Sequence, residues 1–112
     1  MSVDLVDFYA HVEGNKHVLA WSTASEQNND YFEIQSGNDG LNFTTLGVVK
    51  GRGTSRSTNS YFFNNQSDGD FVYYRLRQVD FDGKETYSHV ILVKNEKQTR
   101  IIDSRPLKTQ IR

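Results

Sequence analysis

The chain has 112 residues, a net charge of −1 and no cysteine. A nearly neutral chain produces no global field that would collect nucleic acid or an acidic membrane surface, and without cysteine it can form neither a disulfide nor a thiolate site. The length fits one domain, and no apolar run approaches the roughly 20 residues of a membrane-spanning helix.

Short stretches of alternating apolar and polar residues, separated by turns of glycine, asparagine and aspartate, predict β-strands from the start of the chain. The first strand covers residues 3–12, and its alternation changes phase beyond Leu5, which indicates a bulge or kink. A hairpin turn at Gly14 leads into a second strand over residues 18–23. The polar stretch over residues 24–30 lacks a complete capping box and a following apolar run, so it is predicted to be a loop.

The middle of the chain predicts two further strands and a long connection. Residues 31–36 form the third strand, and Asp39-Gly40 predicts a hairpin turn into a fourth strand over residues 43–50. Residues 51–59 contain glycine, serine and arginine without periodicity and are predicted to be a mobile crossover loop. They lack the Gly-Lys-Ser/Thr pattern and the following helix of a phosphate-binding loop, so we assign them no phosphate site.

The last third of the chain predicts more strands and a basic tail. Three strands are expected, over residues 60–64, 71–81 and 85–93. Residues 80–83 resemble the start of a calcium loop but lack its further oxygen ligands, and they are predicted to form a hairpin turn. We therefore divide the chain into a β-domain over residues 1–95 and a basic tail over residues 96–112, which is expected to be partly disordered.

Seven short strands without a helical segment predict an antiparallel β-sandwich, with closure into a small barrel as the alternative. The predicted core consists of large apolar residues that share one face of their strands, namely Leu19, Trp21, Phe32, Ile34, Tyr74 and Leu76. On the opposite face, Glu33 is predicted to pair with Arg75 or Arg77 and so to fix the strand register.

Three segments of the chain resemble a known module in combination. They are residues 19–35 (LAWSTASEQNNDYFEIQ), 36–43 (SGNDGLNF) and 73–83 (YYRLRQVDFDG). Together they resemble a module of large bacterial proteins exported by the type IX secretion system, and residues 3–8 resemble its usual start. The resemblance runs over about residues 3–93 and implies a seven-stranded antiparallel sandwich of the fibronectin type III or immunoglobulin-like kind.

The resemblance also implies a location and a role. Such modules usually stand just before a C-terminal sorting domain in adhesins and extracellular hydrolases, so we expect a secreted or cell-surface parent. The implied function is a non-catalytic spacer or interaction module whose partners are the neighbouring domains. A carbohydrate-binding module of a secreted polysaccharide hydrolase is the alternative. Residues 102–106 do not match the Asn-Pro motif that opens the sorting domain, and the first residues do not resemble a signal peptide, so this chain is not expected to carry its own export signal.

Aromatic doublets supply the candidate binding residues. In Tyr31-Phe32 and Tyr73-Tyr74, neighbouring side chains must point to opposite faces of the sheet. The fibronectin-like topology implied by the resemblance makes the third and sixth strands neighbours, which places Tyr31 and Tyr73 on one outer face, and Tyr87 is a candidate third member. Such a strip can stack on sugar rings or dock a partner domain; ordinary cross-strand packing is the structural alternative.

No catalytic or metal-binding pattern is present in the sequence. The three histidines, His11, His17 and His89, lack metal-ligand spacing and are predicted to be exposed strand or turn residues. There is no Gly-x-Ser-x-Gly elbow, and no carboxylate pair stands in the context of a glycosidase cleft. We therefore predict a monomeric domain that is not an enzyme and uses no cofactor or metal.

Overall fold

A computed structural model describes residues 2–95 of the chain. The predicted basic tail, residues 96–112, lies outside the described residues. The described part is all-β, as predicted, and it lacks helices. Its strands are β1 (Val3–Glu13), β2 (Lys16–Gly37), β3 (Thr44–Ser55), β4 (Asn59–Gln66), β5 (Phe71–Asp80), β6 (Glu85–Tyr87) and β7 (Ile91–Lys94).

The strand β2 organises the sheet. Its first half pairs with β1 and β4, and its second half pairs with β3 and β5. β5 pairs in turn with β6 and β7. All pairings are antiparallel, and they join the seven strands into one sheet that curls into a half-barrel. The antiparallel all-β class is thus confirmed, but hydrogen bonds connect all strands into a single sheet.

The prediction of a loop over residues 24–30 is wrong, because β2 continues through these residues. The prediction assumed that a polar stretch is solvated, whereas Glu26 and Asn29 are only 2% and 0% exposed. The two side chains hydrogen-bond each other, Asn29 Nδ2 to Glu26 Oε1 at 2.8 Å. Buried polar groups that find partners in this way can lie inside a strand.

Within this stretch β2 folds back on itself. Asn28 has a φ of 55°, in the left-handed region that asparagine tolerates better than most residues. The register with the partner strands shifts on both sides of Asn29. The rings of Trp21 and Phe32, on opposite sides of the fold, come within 5.5 Å between centroids. The two halves of β2 therefore face each other across the core.

Two further boundaries differ from prediction. Most of the loop predicted over residues 51–59 belongs to β3, which extends to Ser55 and pairs with the folded part of β2. The single strand predicted over residues 85–93 is divided into β6 and β7. Ser88 causes the interruption: its amide donates to the Leu76 carbonyl at 2.9 Å, and its hydroxyl accepts from the Leu76 amide at 2.8 Å.

The predicted core is confirmed. Each of the six predicted residues is at most 1% exposed, and four further large side chains complete the cluster: Val3, Phe8, Tyr61 and Val93. Trp21 lies at its centre, stacked on Tyr61 at 5.6 Å and edge-on to Phe8 at 6.4 Å. The predicted kink in the first strand also appears, as register shifts on both sides of Leu5.

Candidate functional site

The predicted tyrosines lie on the outer face of the sheet formed by the second half of β2, β5 and β6. In the strand register Tyr31 is opposite Val79, and Tyr73 is opposite Gly37. Six residues of β2 thus separate the two positions, about 20 Å along the strand. Both rings are half-buried. The structure therefore places Tyr31 and Tyr73 on one face without bringing them together.

The space between these tyrosines is occupied by arginines. Arg75 lies with its guanidinium carbon 4.2 Å from the ring centroid of Phe43 and 4.2 Å from that of Tyr87. It also donates a hydrogen bond of 2.8 Å to Gln35. A guanidinium held between two rings is attracted by both π faces. Tyr87 is 43% exposed, so its ring still contacts solvent.

Next to this arrangement, Arg77 joins two carboxylates. It contacts Glu33 at 3.0 Å and Glu85 at 2.5 Å. The predicted Glu33 pair is confirmed, with Arg77 as the partner. The hydrogen bond to Glu85 is the main reason why the pKa of Arg77 lies above its ordinary value, and in return it holds the pKa of Glu85 below its ordinary value. The positive charge is therefore already neutralised by the protein's own carboxylates.

A second polar cluster lies inside the domain, where β2 folds back. Glu26 is at its centre and accepts hydrogen bonds from Thr23 at 2.8 Å, from the backbone amide of Arg52 at 3.0 Å and from the Tyr61 hydroxyl at 2.5 Å. Two asparagine side chains also donate to it, at 2.8 and 3.3 Å. The carboxylate thereby ties two other strands, β3 and β4, to the fold-back of β2.

The titration of this cluster follows from its donors. Burial by itself would raise the pKa of Glu26, but hydrogen bonds led by those from Tyr61 and Asn29 outweigh it, and the pKa lies below the ordinary value. Burial and the neighbouring carboxylate together raise the pKa of Tyr61. Hydrogen bonds from the protein thus take the place of water and stabilise Glu26 as an anion. The carboxylate is therefore a structural element of the fold.

The prediction that His17 is exposed is wrong. Its side chain is 0% exposed, because His17 shares the inner face of its strand with Leu19. Its Nδ1 lies 2.6 Å from the Tyr74 hydroxyl, and its Nε2 contacts Asn95 Oδ1. Asn95 Nδ2 donates to the Ser67 carbonyl at 2.6 Å, so Oδ1 is the acceptor toward His17. Nε2 therefore carries a proton and donates it to Asn95 Oδ1.

This histidine fastens the last described residue to one end of the domain. The backbone amide of Asn95 also donates to the Asp70 carbonyl at 3.0 Å. The first described residue is fastened at the other end, where β2 folds back. The Ser2 hydroxyl donates to Asp80 at 2.5 Å, and the Ser2 carbonyl accepts from the Gln27 amide at 3.0 Å. The chain therefore enters the domain at one end and leaves at the opposite end.

Residues 2–95 hold no group of three or more side chains suited to a metal ion, and they include no helix long and apolar enough to span a membrane. No family model, curated protein or solved structure matches the chain.

The sequence did not predict the main polar interactions of the domain, which are the stacking of Arg75 and the hydrogen bonds of Glu26. The sequence predicts Arg75 only as one of two possible partners of Glu33, and Phe43 precedes its strand, so the stacking of Arg75 on Phe43 follows only from the tertiary arrangement. Glu26 and Asn29 were assigned to a solvated loop. A usable signal existed, since a carboxylate surrounded by serine, threonine and asparagine is the composition of a self-satisfied polar cluster.

Proposed function

We propose that this domain is a non-catalytic spacer or interaction module of a larger secreted or cell-surface protein. The observation that carries the proposal is the placement of Ser2 and Asn95, the first and last described residues. Ser2 and Asn95 are anchored at opposite ends of the domain. The strand β1 alone covers ten residue steps between them, about 33 Å. A domain built in this way separates whatever precedes it from whatever follows it by a fixed distance.

We further infer a sandwich of the fibronectin type III or immunoglobulin-like kind. In such folds the second and third strands belong to opposite sheets. Here the two halves of β2 take those places: the first half lies between β1 and β4, and the second between β3 and β5. The fold-back at Asn28 would then be a sheet-to-sheet connection that retains its hydrogen bonds.

The resemblance to modules of type IX exported proteins supports the cellular setting that we propose. The segment over residues 19–35 carries most of this resemblance, and its Trp21, Glu26 and Phe32 are the residues that hold the two halves together. We propose the neighbouring domains of the parent as the partners, and a monomer without cofactor as the working state.

A distance measurement tests the spacer. Because the chain has no cysteine, two exposed positions can be spin-labelled as Asp4→Cys and Lys94→Cys. We expect double electron–electron resonance spectroscopy to give one narrow distribution of the distance between the two labels, at about 30 Å. The matched control pair is Glu13→Cys with Lys94→Cys, which should be much closer, since Val12 and Lys94 line one groove. Equal or broad distributions for both pairs would contradict a rigid spacer, and substrate turnover by the purified domain would contradict the non-catalytic role.

A carbohydrate-binding function is the second candidate, and the exposed ring of Tyr87 beside Arg75 favours it. Aromatic rings stack on sugars, and guanidinium groups donate to their hydroxyls. Binding on so flat a face should be weak. Replacing Tyr31, Tyr73 and Tyr87 by alanine should abolish retardation in polysaccharide affinity gels. Phe81→Ala, which removes an exposed ring at a turn, is the control and should retain it.

A further inference from the structure

The outer face of the other half of the sheet carries an aromatic pair that the tyrosine prediction does not include. Tyr9 on β1 and Phe62 on β4 are both opposite Ala20 of β2. Their side chains are 53% and 64% exposed, unusually high for large rings in the middle of strands. Two strand spacings, about 9–10 Å, separate the backbones from which the rings rise.

The same molecule shows what such a pair can hold. On the opposite face Phe43 and Tyr87 enclose the guanidinium of Arg75, 4.2 Å from each ring centroid. Tyr9 and Phe62 flank Ala20, whose small side chain is 6% exposed and forms part of the floor of the cleft that both rings line. Among residues 2–95, guanidinium groups stack on Phe43, Tyr61 and Tyr87, and on neither ring of this pair.

Polar groups line one end of the cleft between the rings. It has a volume of about 100 Å³ and is lined by Asp7, Tyr9, Ser22, Ser60 and Phe62, together with Ala20 and Trp21. The Asp7 carboxylate accepts a hydrogen bond of 2.7 Å from Ser22, which fixes its position. Asp7 is the one charged residue in this lining, so the cleft is complementary to a cation.

We propose that this cleft binds the guanidinium group of an arginine side chain presented by a partner protein. The rings of Tyr9 and Phe62 supply two π faces, and Asp7 supplies the counter-charge and a hydrogen-bond acceptor. A planar cation needs about 3.5–4 Å of separation from each ring, and the backbones that carry the two rings are about 9–10 Å apart. The cleft is well below the roughly 300–1,000 Å³ of a small-molecule pocket, so it accommodates one side-chain head.

This inference goes beyond the spacer role and does not depend on it. The spacer requires a fixed distance between Ser2 and Asn95, whereas the cleft lies midway along β1, on the outer face. A domain that fails the arginine test retains its end-to-end distance. A domain with broad end-to-end distances can still bind the cation. The two experiments therefore fail separately.

Titration of the full chain with a capped Gly-Arg-Gly peptide, followed by nuclear magnetic resonance, tests the proposal. We expect saturable shifts at Tyr9, Ala20 and Phe62, with an affinity in the millimolar range. A Gly-Gln-Gly peptide is the neutral control and should cause none. Phe62→Ala or Asp7→Asn should weaken binding roughly three- to tenfold, whereas Phe81→Ala, which removes an exposed ring at a turn outside the cleft, should leave it unchanged.

A second variant removes the risk that lost binding reflects lost folding. Ala20→Arg places an arginine between the two rings, as Arg75 lies between Phe43 and Tyr87. We expect this variant to melt at or above the parent temperature and to lose affinity for the peptide. A lower melting temperature together with unchanged peptide binding would overturn the proposal.

Other occupants give different results, and each would overturn the partner assignment. If replacing Arg100, Arg105 and Arg112 by glutamine shifts the Tyr9 and Phe62 signals without peptide, the chain's own tail is the ligand. Concentration-dependent shifts at the same residues in the absence of peptide would indicate a second copy. Retention on a neutral polysaccharide that depends on Phe62, without peptide binding, would indicate a sugar.

Discussion

β2 carries one carboxylate on its inner face and one on its outer face, and the two are stabilised by different kinds of partner. Glu26, on the inside, is 2% exposed and is satisfied by neutral donors such as Thr23 and Tyr61. Glu33, on the outside, is half-buried and is paired with the charge of Arg77 at 3.0 Å. The difference shows that dipoles fixed by the fold hold the interior charge, whereas a long flexible cation suffices at the surface.

The largest loss of stability is expected when the centre of the inner face is removed. Trp21→Ala should lower the free energy of unfolding by about 3–5 kcal/mol, the usual range for a buried large aromatic, as measured by urea titration. Trp21→Phe is the control. It should cost much less, because the indole Nε1 is buried and lacks a hydrogen-bond partner among the described residues, so little polar contact is lost. Equal costs for the two variants would contradict a packing role.

Glu26→Gln is the next largest change. The new amide group donates where the carboxylate accepted, so it opposes donors such as Thr23 and Tyr61. Leaving these buried donors unsatisfied should cost about 2–4 kcal/mol. Glu33→Gln on the outer face is the matched control and should cost at most about 1 kcal/mol. Chemical denaturation of both variants compares the faces directly, and similar losses would refute the distinction.

Lowering the pH tests the contribution of Glu26 to stability by protonating its carboxylate. Since the pKa of Glu26 is lower in the folded state than its ordinary value of 4.5, its contribution to stability is present above that value. The contribution is lost as the pH falls through the lower folded pKa. The exposed Asp39, with its pKa lowered to about 2, acts in the same window. We expect the stability difference between the parent and Glu26→Gln to shrink from pH 6 to pH 3, and a constant difference would exclude this linkage.

The smallest expected effect is the coupling of Glu33 with Arg77. A double-mutant cycle with Glu33→Gln and Arg77→Gln should give about 0–1 kcal/mol, because the pair is partly exposed to solvent. The control cycle combines Glu33→Gln with Arg75→Gln, since Arg75 contacts rings and Gln35 instead. Coupling of the control pair as strong as that of the test pair would argue against a specific ion pair.

The sequence predicts the core because a period of two separates apolar from polar residues in β2 and β5. Trp21, Ile34 and Leu76 follow from this alternation alone. The hairpin turns at Gly14 and Gly83 follow from residues that adopt positive φ. His17 was also within reach, since it alternates with Leu19, but its polarity favoured an exposed assignment.

What sequence reasoning could not supply is the tertiary satisfaction of polar groups. Nothing local indicates that Asn95 and Tyr74 enclose His17, or that donors from three strands meet at Glu26. The candidate tyrosines show the same limit. Alternation predicts that Tyr31 and Tyr73 share one face of the sheet, but only the register shows that Arg75 and Arg77 lie between them.

The folded-back strand β2 has a consequence for how the domain forms during synthesis. Its hairpin with β1 closes early, since Glu13 pairs with Lys16. Its second half must wait for β5, where Ile34 finds Leu76. Contacts so distant along the chain make folding slow, on the order of milliseconds to seconds. Until β5 leaves the ribosome, the apolar face of β2 stays uncovered, so the nascent chain passes through a stage that invites chaperone binding or misassociation.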